Sequence, residues 1–324
     1  MTARSNADTL ITVYGGSGFL GRHVVRALAK RDYRIRVAVR RPELANFLQP
    51  LGRVGQIHAV QANLRHVPSV DAAARDAHVL VNVVGILGEG GRQRFDAVHT
   101  YGAEQVALAA SAHGARLVHV SAIGADEHSL SHYARSKAAA ERLVLSAQQQ
   151  AVIMRPSILF GPEDDFFNRF AALARMSPAL PLIGGGLTRF QPVFVGDVAR
   201  AIADAVDGKL SAGTIYELGG PDVRTFKQLM QYVLATIERK RLLVPIPFFA
   251  ARLNAMVLQF MPAPLTLTLD QVELLRVDNV VSGPAKSEGR TLQGIGIEPE
   301  PIEAIVSSYL WRFRKAGQFR SRVA

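Results

Sequence analysis

Leu10-Ile11-Thr12-Val13-Tyr14-Gly15-Gly16-Ser17-Gly18-Phe19-Leu20-Gly21 joins a short β-branched run to a segment, Gly18–Lys30, whose apolar residues recur at helical spacing. The three glycines at 15, 18 and 21 answer three separate needs. Gly15 permits a tight turn, Gly18 lets backbone approach a diphosphate, and Gly21 lets the helix pack closely on the strand, while the helix amino terminus meets negative charge. Strand, glycine turn and helix in that order predict nucleotide binding, with Gly15, Ser17, Gly18, Phe19, Leu20 and Gly21 as the cradle.

Outward from this loop the same alternation repeats. Ile35–Val39, Ile57–Gln61, Val79–Val84, Leu117–Val120 and Val152–Met154 read as further strands, and Phe95–His113 and His132–Gln150 as helices rich in Ala, Leu and Arg. Strands apolar on both faces and separated by helices imply a parallel sheet covered on both sides, an α/β fold of the doubly wound kind. After Pro156 the alternation loosens, proline and glycine become frequent, and helices such as Asp197–Asp207 and Phe226–Arg239 are joined by irregular segments. The expected organisation is a nucleotide-binding domain over 1–155 and a smaller carboxyl-terminal lobe over 156–324, whose excursions can return strands to the first sheet.

Composition narrows the chemistry. The 324 residues contain no cysteine, which removes disulfides, thiol nucleophiles and cysteine-held metal centres. A net charge of +11, spread over both halves, suits an anionic ligand, an anionic membrane surface, an acidic partner or nucleic acid, and its sign does not choose among them. The end of the second strand is more informative. An acid placed there would accept from a ribose 2′-hydroxyl, but Val39 is followed by Arg40-Arg41, and no acid stands between Arg34 and Pro42. Two guanidinium groups suit a 2′-phosphate, so NADP(H) is expected rather than NAD(H). Asn63 and Leu64 end the third strand, where the Asn oxygen is placed to accept from an adenine amine.

The glycine loop, Asn82-Val83-Val84-Gly85 and Tyr133-Ala134-Arg135-Ser136-Lys137 together resemble the short-chain dehydrogenase/reductase superfamily, in its extended and atypical branches. The resemblance implies a Rossmann sheet, with the cofactor also touching Val84, Gly85, Ser121, Tyr133, Lys137, Pro156, Ser157 and Ile158. It further implies Tyr133 as proton donor or acceptor and Lys137 as the cation that lowers its pKa and holds the nicotinamide ribose. A phenol with an ordinary pKa near ~10 needs such a cation, and four residues of helix put the two on one face. The third catalytic group of that superfamily is a hydroxyl, and at its register the chain has Ile123. Ser121, two residues earlier, either supplies the hydroxyl from a shifted position or caps the strand.

A closer resemblance runs along nearly the whole chain. Gly18-Phe19-Leu20-Gly21-Arg22, Leu51-Gly52-Arg53-Val54-Gly55-Gln56, His119-Val120-Ser121, Arg155-Pro156-Ser157-Ile158-Leu159-Phe160-Gly161, Gln191-Pro192-Val193-Phe194-Val195-Gly196-Asp197-Val198 and Pro245-Ile246-Pro247-Phe248-Phe249 are similar to the nucleotide-binding accessory subunits of respiratory complex I and their bacterial homologues. What this implies is tightly held NADPH, a structural or regulatory role among complex I subunits and no established turnover. The alternative is an NADPH-dependent reductase or epimerase of a carbonyl or sugar-nucleotide substrate. Neither nucleic acid nor a metal is an expected partner, since the histidines show no paired ligand spacing.

In the second lobe, Glu163, Asp164 and Asp165 read better as a helix cap than as a metal or acid/base cluster, and Asp197 likewise caps its helix. Phe166, Phe167, Arg189 and Phe190 are candidates for a substrate cleft, with simple core the stronger reading for the first two, beside the turn Gly184-Gly185-Gly186. Between Leu242 and Phe260 apolar residues crowd, among them Phe248, Phe249, Leu253, Met256 and Val257, with Arg239-Lys240-Arg241 ahead. That segment is either core or a face for a membrane or an apolar partner. The acid-free stretch from Arg312 through Arg314, Lys315, Arg320 and Arg322 reads as a basic tail. With no signal peptide and no spanning helix expected, the chain should be cytoplasmic and peripheral on the inner face of a bacterial cytoplasmic membrane.

Overall fold

A computed structural model describes residues 5–258, 267–315 and 317. From the amino terminus the chain forms β1 (Leu10–Tyr14), α1 (Phe19–Ala29), β2 (Arg34–Val39), β3 (Ile57–Gln61), α2 (Val67–Ala74), β4 (Val79–Asn82), α3 (Tyr101–Ala112), β5 (Arg116–Val120), α4 (His132–Ala147) and β6 (Val152–Pro156). It continues through β7 (Leu159–Phe160), α5 (Phe167–Met176), β8 (Ala179–Ile183), β9 (Arg189–Phe190) and β10 (Val193–Phe194). There follow α6 (Val195–Val206), β11 (Ile215–Leu218), β12 (Arg224–Thr225), α7 (Phe226–Thr236), β13 (Leu242–Ile246), α8 (Phe248–Leu258), α9 (Leu269–Leu274) and α10 (Gly283–Ser287).

Seven strands build one parallel sheet in the order β11-β6-β5-β4-β1-β2-β3. Helices α2, α3 and α4 pack together on one side of it, and α1 packs with α6 on the other. Both faces are therefore covered, which is why Val13, Val37, Leu80, Val81 and Ile153 are fully buried in runs that do not alternate with polar residues. Small side chains, Ala73, Ala74, Ala103, Ala107, Ala110 and Ala140, let α2, α3 and α4 lie close over the sheet. The chain leaves β1 toward β2 and β3, then crosses to β4 on the other side, so the order reverses between β1 and β4. Ligands of open α/β sheets bind outside the carboxyl ends of the strands at such a reversal.

The chain divides into two compact units, each assembled from three stretches. The first comprises Met1–Pro156, Val195–Leu218 and Gly283–Ile297, and the second Ser157–Phe194, Gly219–Ser282 and Glu298–Ala324. The sheet's outermost strand β11 thus comes from a later stretch than the strands it joins.

The second unit holds three short strand pairs, β7 with β10, β8 with β13 and β9 with β12. Its core gathers Phe160, Phe167, Phe190 and Phe226 with Leu180, Leu229 and Val233. Phe166 packs edge-on against Phe167 and Phe170 with centroids 5.2 Å apart, and Phe190 is buried in the same cluster. These phenylalanines serve packing rather than a cleft, and Arg189 is paired with Asp278 at 2.7 Å. Asp164 is buried and accepts from the backbone N–H of Gly161 and of Asn168 at 3.2 and 3.1 Å and from the Tyr309 hydroxyl. It closes the first turn of α5, as a capping acid does.

The apolar segment after Leu242 resolves into two faces. Ala251 and Ala255 of α8 are buried, while Phe249, Leu253 and Met256, at spacings of four and three, are exposed. Phe260 and the side chain of Val257 lie outside the described residues. Among the basic residues, Arg239 donates to the Phe313 carbonyl at 2.9 Å and Arg241 to that of Ala174 at 2.8 Å. Arg312 donates to Asn168 Oδ1 at 2.6 Å, and Arg314 donates to the Thr236 carbonyl at 2.9 Å. The expected loose basic tail is therefore docked as far as Arg314, whereas Arg320 and Arg322 lie outside the described residues. No helix among the described residues is long and apolar enough to cross a membrane.

Candidate functional site

The glycine loop follows β1 and is pinned by the Gly15 N–H, which donates to the Ala38 carbonyl at 3.0 Å. Gly15 has φ +82°, and a Cβ there would lie 2.9 Å from Val84 Cγ2. A Cβ on Gly21 would stand 2.2 Å from the Gly15 carbonyl oxygen, and one on Gly16 2.8 Å from Val37 Cγ1. Gly16, which sequence reading passed over, is thus also tightly packed, though against side-chain methyls rather than backbone. Gly18 is different: it caps α1 in an extended conformation with no side-chain cap, and no acid occupies the first turn. The uncapped N–H groups at the start of α1 form a cradle that fits a diphosphate.

At the end of β2, Arg40 and Arg41 are exposed, and neither guanidinium has an ion-pair or hydrogen-bond partner among the described residues. Both cations therefore lie open to solvent at the end of the strand. Asn63, by contrast, uses Oδ1 to accept from the Arg65 N–H at 3.1 Å, a turn that stops β3 from continuing. Leu64 is buried, with its side chain against the spot where a Cβ on Gly102 would lie.

Strand β4 ends at Asn82, two residues before the expected end, because its side-chain oxygen accepts from the Val84 N–H at 3.1 Å and turns the chain. The Asn82 amide also meets His119 Nδ1 at 3.3 Å across the sheet. Burial, reinforced by the nearby Lys137 charge, pushes His119 down to about 3, so the ring is neutral; its Nε2 has no partner among the described residues.

On α4, Ser131 caps the helix by accepting from the Ala134 N–H at 3.2 Å, and Tyr133 and Lys137 follow one turn apart. Lys137 is buried; its ammonium donates to the Val120 carbonyl at 3.2 Å and lies 5.9 Å from the Tyr133 ring centre. Burial lowers its pKa to about 8, with the opposing attraction of Glu141 limiting the fall. Gly85 faces this ammonium, since a Cβ there would be 3.6 Å from Nζ. The site thus brings together Gly85, Tyr133 and Lys137.

Position 121 carries an unsatisfied group. Ser121 is buried, its N–H donates to the Met154 carbonyl at 2.7 Å, and its hydroxyl has no partner among the described residues. Ile123 donates its N–H to the Pro156 carbonyl at 3.0 Å and buries its side chain. Both backbones extend the β5–β6 pairing past the strand ends. A buried hydroxyl left without a partner costs about 1–3 kcal/mol unless a ligand or water satisfies it. Ser157 and Ile158, the remaining cofactor candidates, stand in the second unit. There Ser157 Oγ donates to Asn279 Oδ1 at 2.6 Å, and the Ile158 N–H approaches the same oxygen at 3.2 Å.

Sequence reading missed Phe95, His99 and the Arg155–Glu141 ion pair, 2.6 Å at its shortest, one turn beyond Lys137. Phe95 stacks on His99 with centroids 5.3 Å apart, and both rings meet Tyr133 edge-on. The signal available was a histidine four residues after a phenylalanine at the start of an alanine-rich helical run. Among the described residues no group of side chains could hold a metal ion.

A family model described as the NAD dependent epimerase/dehydratase family matches residues 11–219. The mitochondrial NADH dehydrogenase (ubiquinone) 1 alpha subcomplex subunit 9 of Arabidopsis thaliana is 36% identical, over 97% of this chain and 80% of that protein. The ceramide reductase of Caulobacter vibrioides is 37% identical over 61% of each chain. Among solved structures, the NADPH-dependent quinone oxidoreductase of Escherichia coli complexed with NADPH aligns with a TM-score of 0.73 at 19% identity, covering 93% of this chain and 99% of that one. At that identity the likeness is one of fold.

Proposed function

This chain belongs to the NAD dependent epimerase/dehydratase family, and we propose that it is an NADPH-binding accessory subunit of respiratory NADH:ubiquinone oxidoreductase, complex I, with a structural or regulatory role. The observation that carries the reading is Ile123, buried at the position where the resemblance to the extended short-chain enzymes implies a hydroxyl toward the substrate carbonyl. Loss of one such donor typically costs about 10²–10³ in rate. Similarity from end to end to a relative named as a subunit of that dehydrogenase adds to it.

When bound, a nicotinamide dinucleotide supplies two-electron redox chemistry. The α1 amino terminus would hold its diphosphate, Arg40 and Arg41 its 2′-phosphate, and Lys137 its nicotinamide ribose, and the Ser121 hydroxyl, unpartnered among the described residues, would gain a partner. Excess positive charge and the exposed face of α8 (Phe249, Leu253 and Met256) suit attachment at the inner, cytoplasmic face of a bacterial membrane.

Affinity purification of the tagged chain from gently solubilised native membranes tests this. Recovery with complex I subunits is expected; a wholly soluble chain without them would overturn it. A second reading is favoured by the intact Tyr133 and Lys137 pair: an NADPH-dependent reductase or epimerase of a carbonyl or sugar-nucleotide substrate, in which Tyr133 would give its hydroxyl proton to the substrate oxygen and Lys137 would stabilise the phenolate. NADPH oxidation over a panel of carbonyl compounds and quinones, abolished by Tyr133→Phe, would establish that reading instead.

A further inference from the structure

Between Phe95 and α3 the helix widens into a single π turn, Asp96–Thr100, in which the Tyr101 N–H reaches the Asp96 carbonyl. Such turns are rare and cost stability, so one retained inside a helix calls for a local reason. Here the reason is His99. Its ring is buried, and Nε2 accepts from the backbone N–H of Ile86 at 3.0 Å, in the loop after β4. An amide N–H can only donate, which puts the ring proton on Nδ1. Nδ1 lies 2.9 Å from Ser136 Oγ, and that hydroxyl donates in turn to the Tyr133 carbonyl at 2.8 Å. The bonds run in one direction, from Ile86 through His99 and Ser136 to the backbone of Tyr133. The ring also fills the space between Phe95 and Tyr133, 5.3 Å from each centre. His132 Nε2 and Asp96 Oδ1, 3.1 Å apart, tie the same turn to the start of α4.

We infer that His99 is a positioning residue, a clamp that fixes the loop Gly85-Ile86 and the Tyr133 ring at one separation and so shapes the nicotinamide end of the cofactor site. The inference rests on the nicotinamide reading given above. It assigns His99 no contact with the cofactor and no proton transfer. Its consequence is selective: removal of His99 loosens the nicotinamide half and leaves the adenine half, held by the glycine loop and by Arg40 and Arg41, as it was.

The test compares the full chain with His99→Leu, His99→Gln and Ser136→Ala, using NADPH and 2′,5′-ADP, the fragment lacking the nicotinamide mononucleotide, as calorimetric probes. For His99→Leu we expect NADPH affinity to fall by about tenfold or more while 2′,5′-ADP binding stays within about twofold. Glutamine, an acceptor and donor in one planar group, should restore most of the loss. With 3-fluorotyrosine at all seven tyrosines and Tyr133→Phe to assign the signal, the Tyr133 ¹⁹F resonance should shift or broaden in His99→Leu. Ser136→Ala, which cuts the same chain without changing the ring, should move that resonance in the same direction and covers the case in which the leucine variant fails to fold. An unmoved Tyr133 resonance, or equal weakening of NADPH and 2′,5′-ADP, would overturn the inference. Failure of the unaltered chain to bind either probe would refute the nicotinamide reading itself, while the fluorine signal still decides the clamp.

Discussion

Arg155 grips Glu141 with two parallel bonds, Nε to Oε1 at 2.8 Å and Nη2 to Oε2 at 2.6 Å, so that the end of β6 is locked to the helix that carries Tyr133 and Lys137. Glu217 of β11 approaches the same guanidinium at 3.5 Å. The carboxylate at 141 lies one turn beyond Lys137 and keeps that buried ammonium from losing its charge more readily. Glu141→Gln is expected to destabilise the fold by about 2–3 kcal/mol, somewhat less than the ~3–5 kcal/mol for breaking a fully buried pair, because Arg155 retains some solvent. It should also lower the pKa of Lys137 further. Urea midpoints at pH 7 and ¹⁵N-detected titration of the lysine check both, and an unchanged midpoint would show that the pair does not support the sheet.

Cofactor choice should reside in the two arginines after β2. Replacing Arg40 and Arg41 together by Ser is expected to weaken NADPH by about tenfold or more, at about 1.5–3 kcal/mol per charge-assisted bond, with NADH binding nearly unchanged. Calorimetry with both cofactors on both proteins decides it. Equal losses for NADPH and NADH would remove the arginines from the 2′-phosphate.

The glycines of the loop should separate folding from binding. At Gly21 a Cβ would lie 2.2 Å from a backbone oxygen, so Gly21→Ala must displace the loop or the helix. At Gly18 the corresponding distance is 3.3 Å and the backbone is extended, so alanine fits with a small adjustment. Thermal unfolding should therefore drop sharply for Gly21→Ala and little for Gly18→Ala, while both lose cofactor affinity.

Acid should unfold the first unit from within. His99 is held down to about 2 and His119 to about 3, chiefly by burial and then by the Lys137 charge; His119 and His132 add to the effect on His99. The unfolded chain binds protons at these rings below pH ~6.5 and the folded chain does not. Stability is then full above that pH and falls beneath it, by up to about 1.4 kcal/mol per pH unit for each histidine. Urea midpoints at pH 7 and pH 5 measure the slope, and His119→Gln should remove about half of it. A midpoint independent of pH over that interval would contradict the buried neutral state.

What could be read in the sequence, and what could not, follows the range of the interactions. Leu10 to Gly21 declared its strand, turn and helix because each of those residues answers a local steric or hydrogen-bonding demand. The parallel sheet was legible for the same reason, through apolar runs bounded by turns. The stop of β4 at Asn82 was not, because it depends on one side chain turning back on the backbone. His99 escaped notice because its hydrogen-bond partners, Ile86 and Ser136, lie on two other segments, and only folding brings them to the ring. At Leu242 to Leu258 the sequence offered core and surface alike. The two faces of α8 separate only when Ala251 and Ala255 meet the rest of the second unit, leaving Phe249, Leu253 and Met256 outside.

The interleaving of the two units bears on the order in which the protein is made. A ribosome delivers β1 to β6 first, yet the first unit is not complete until Ile297 has emerged, since β11 and α10 belong to it. Until then β6 has an open edge, its Ile153 N–H still lacking the Thr214 carbonyl that it later meets at 3.0 Å. The nascent sheet needs about 60 further residues before that edge closes, roughly several seconds of synthesis at ordinary elongation rates. A peptide cut anywhere among the five crossings would leave the halves joined by four others, so a nick should pass unnoticed in a sizing column and reveal itself only under denaturant.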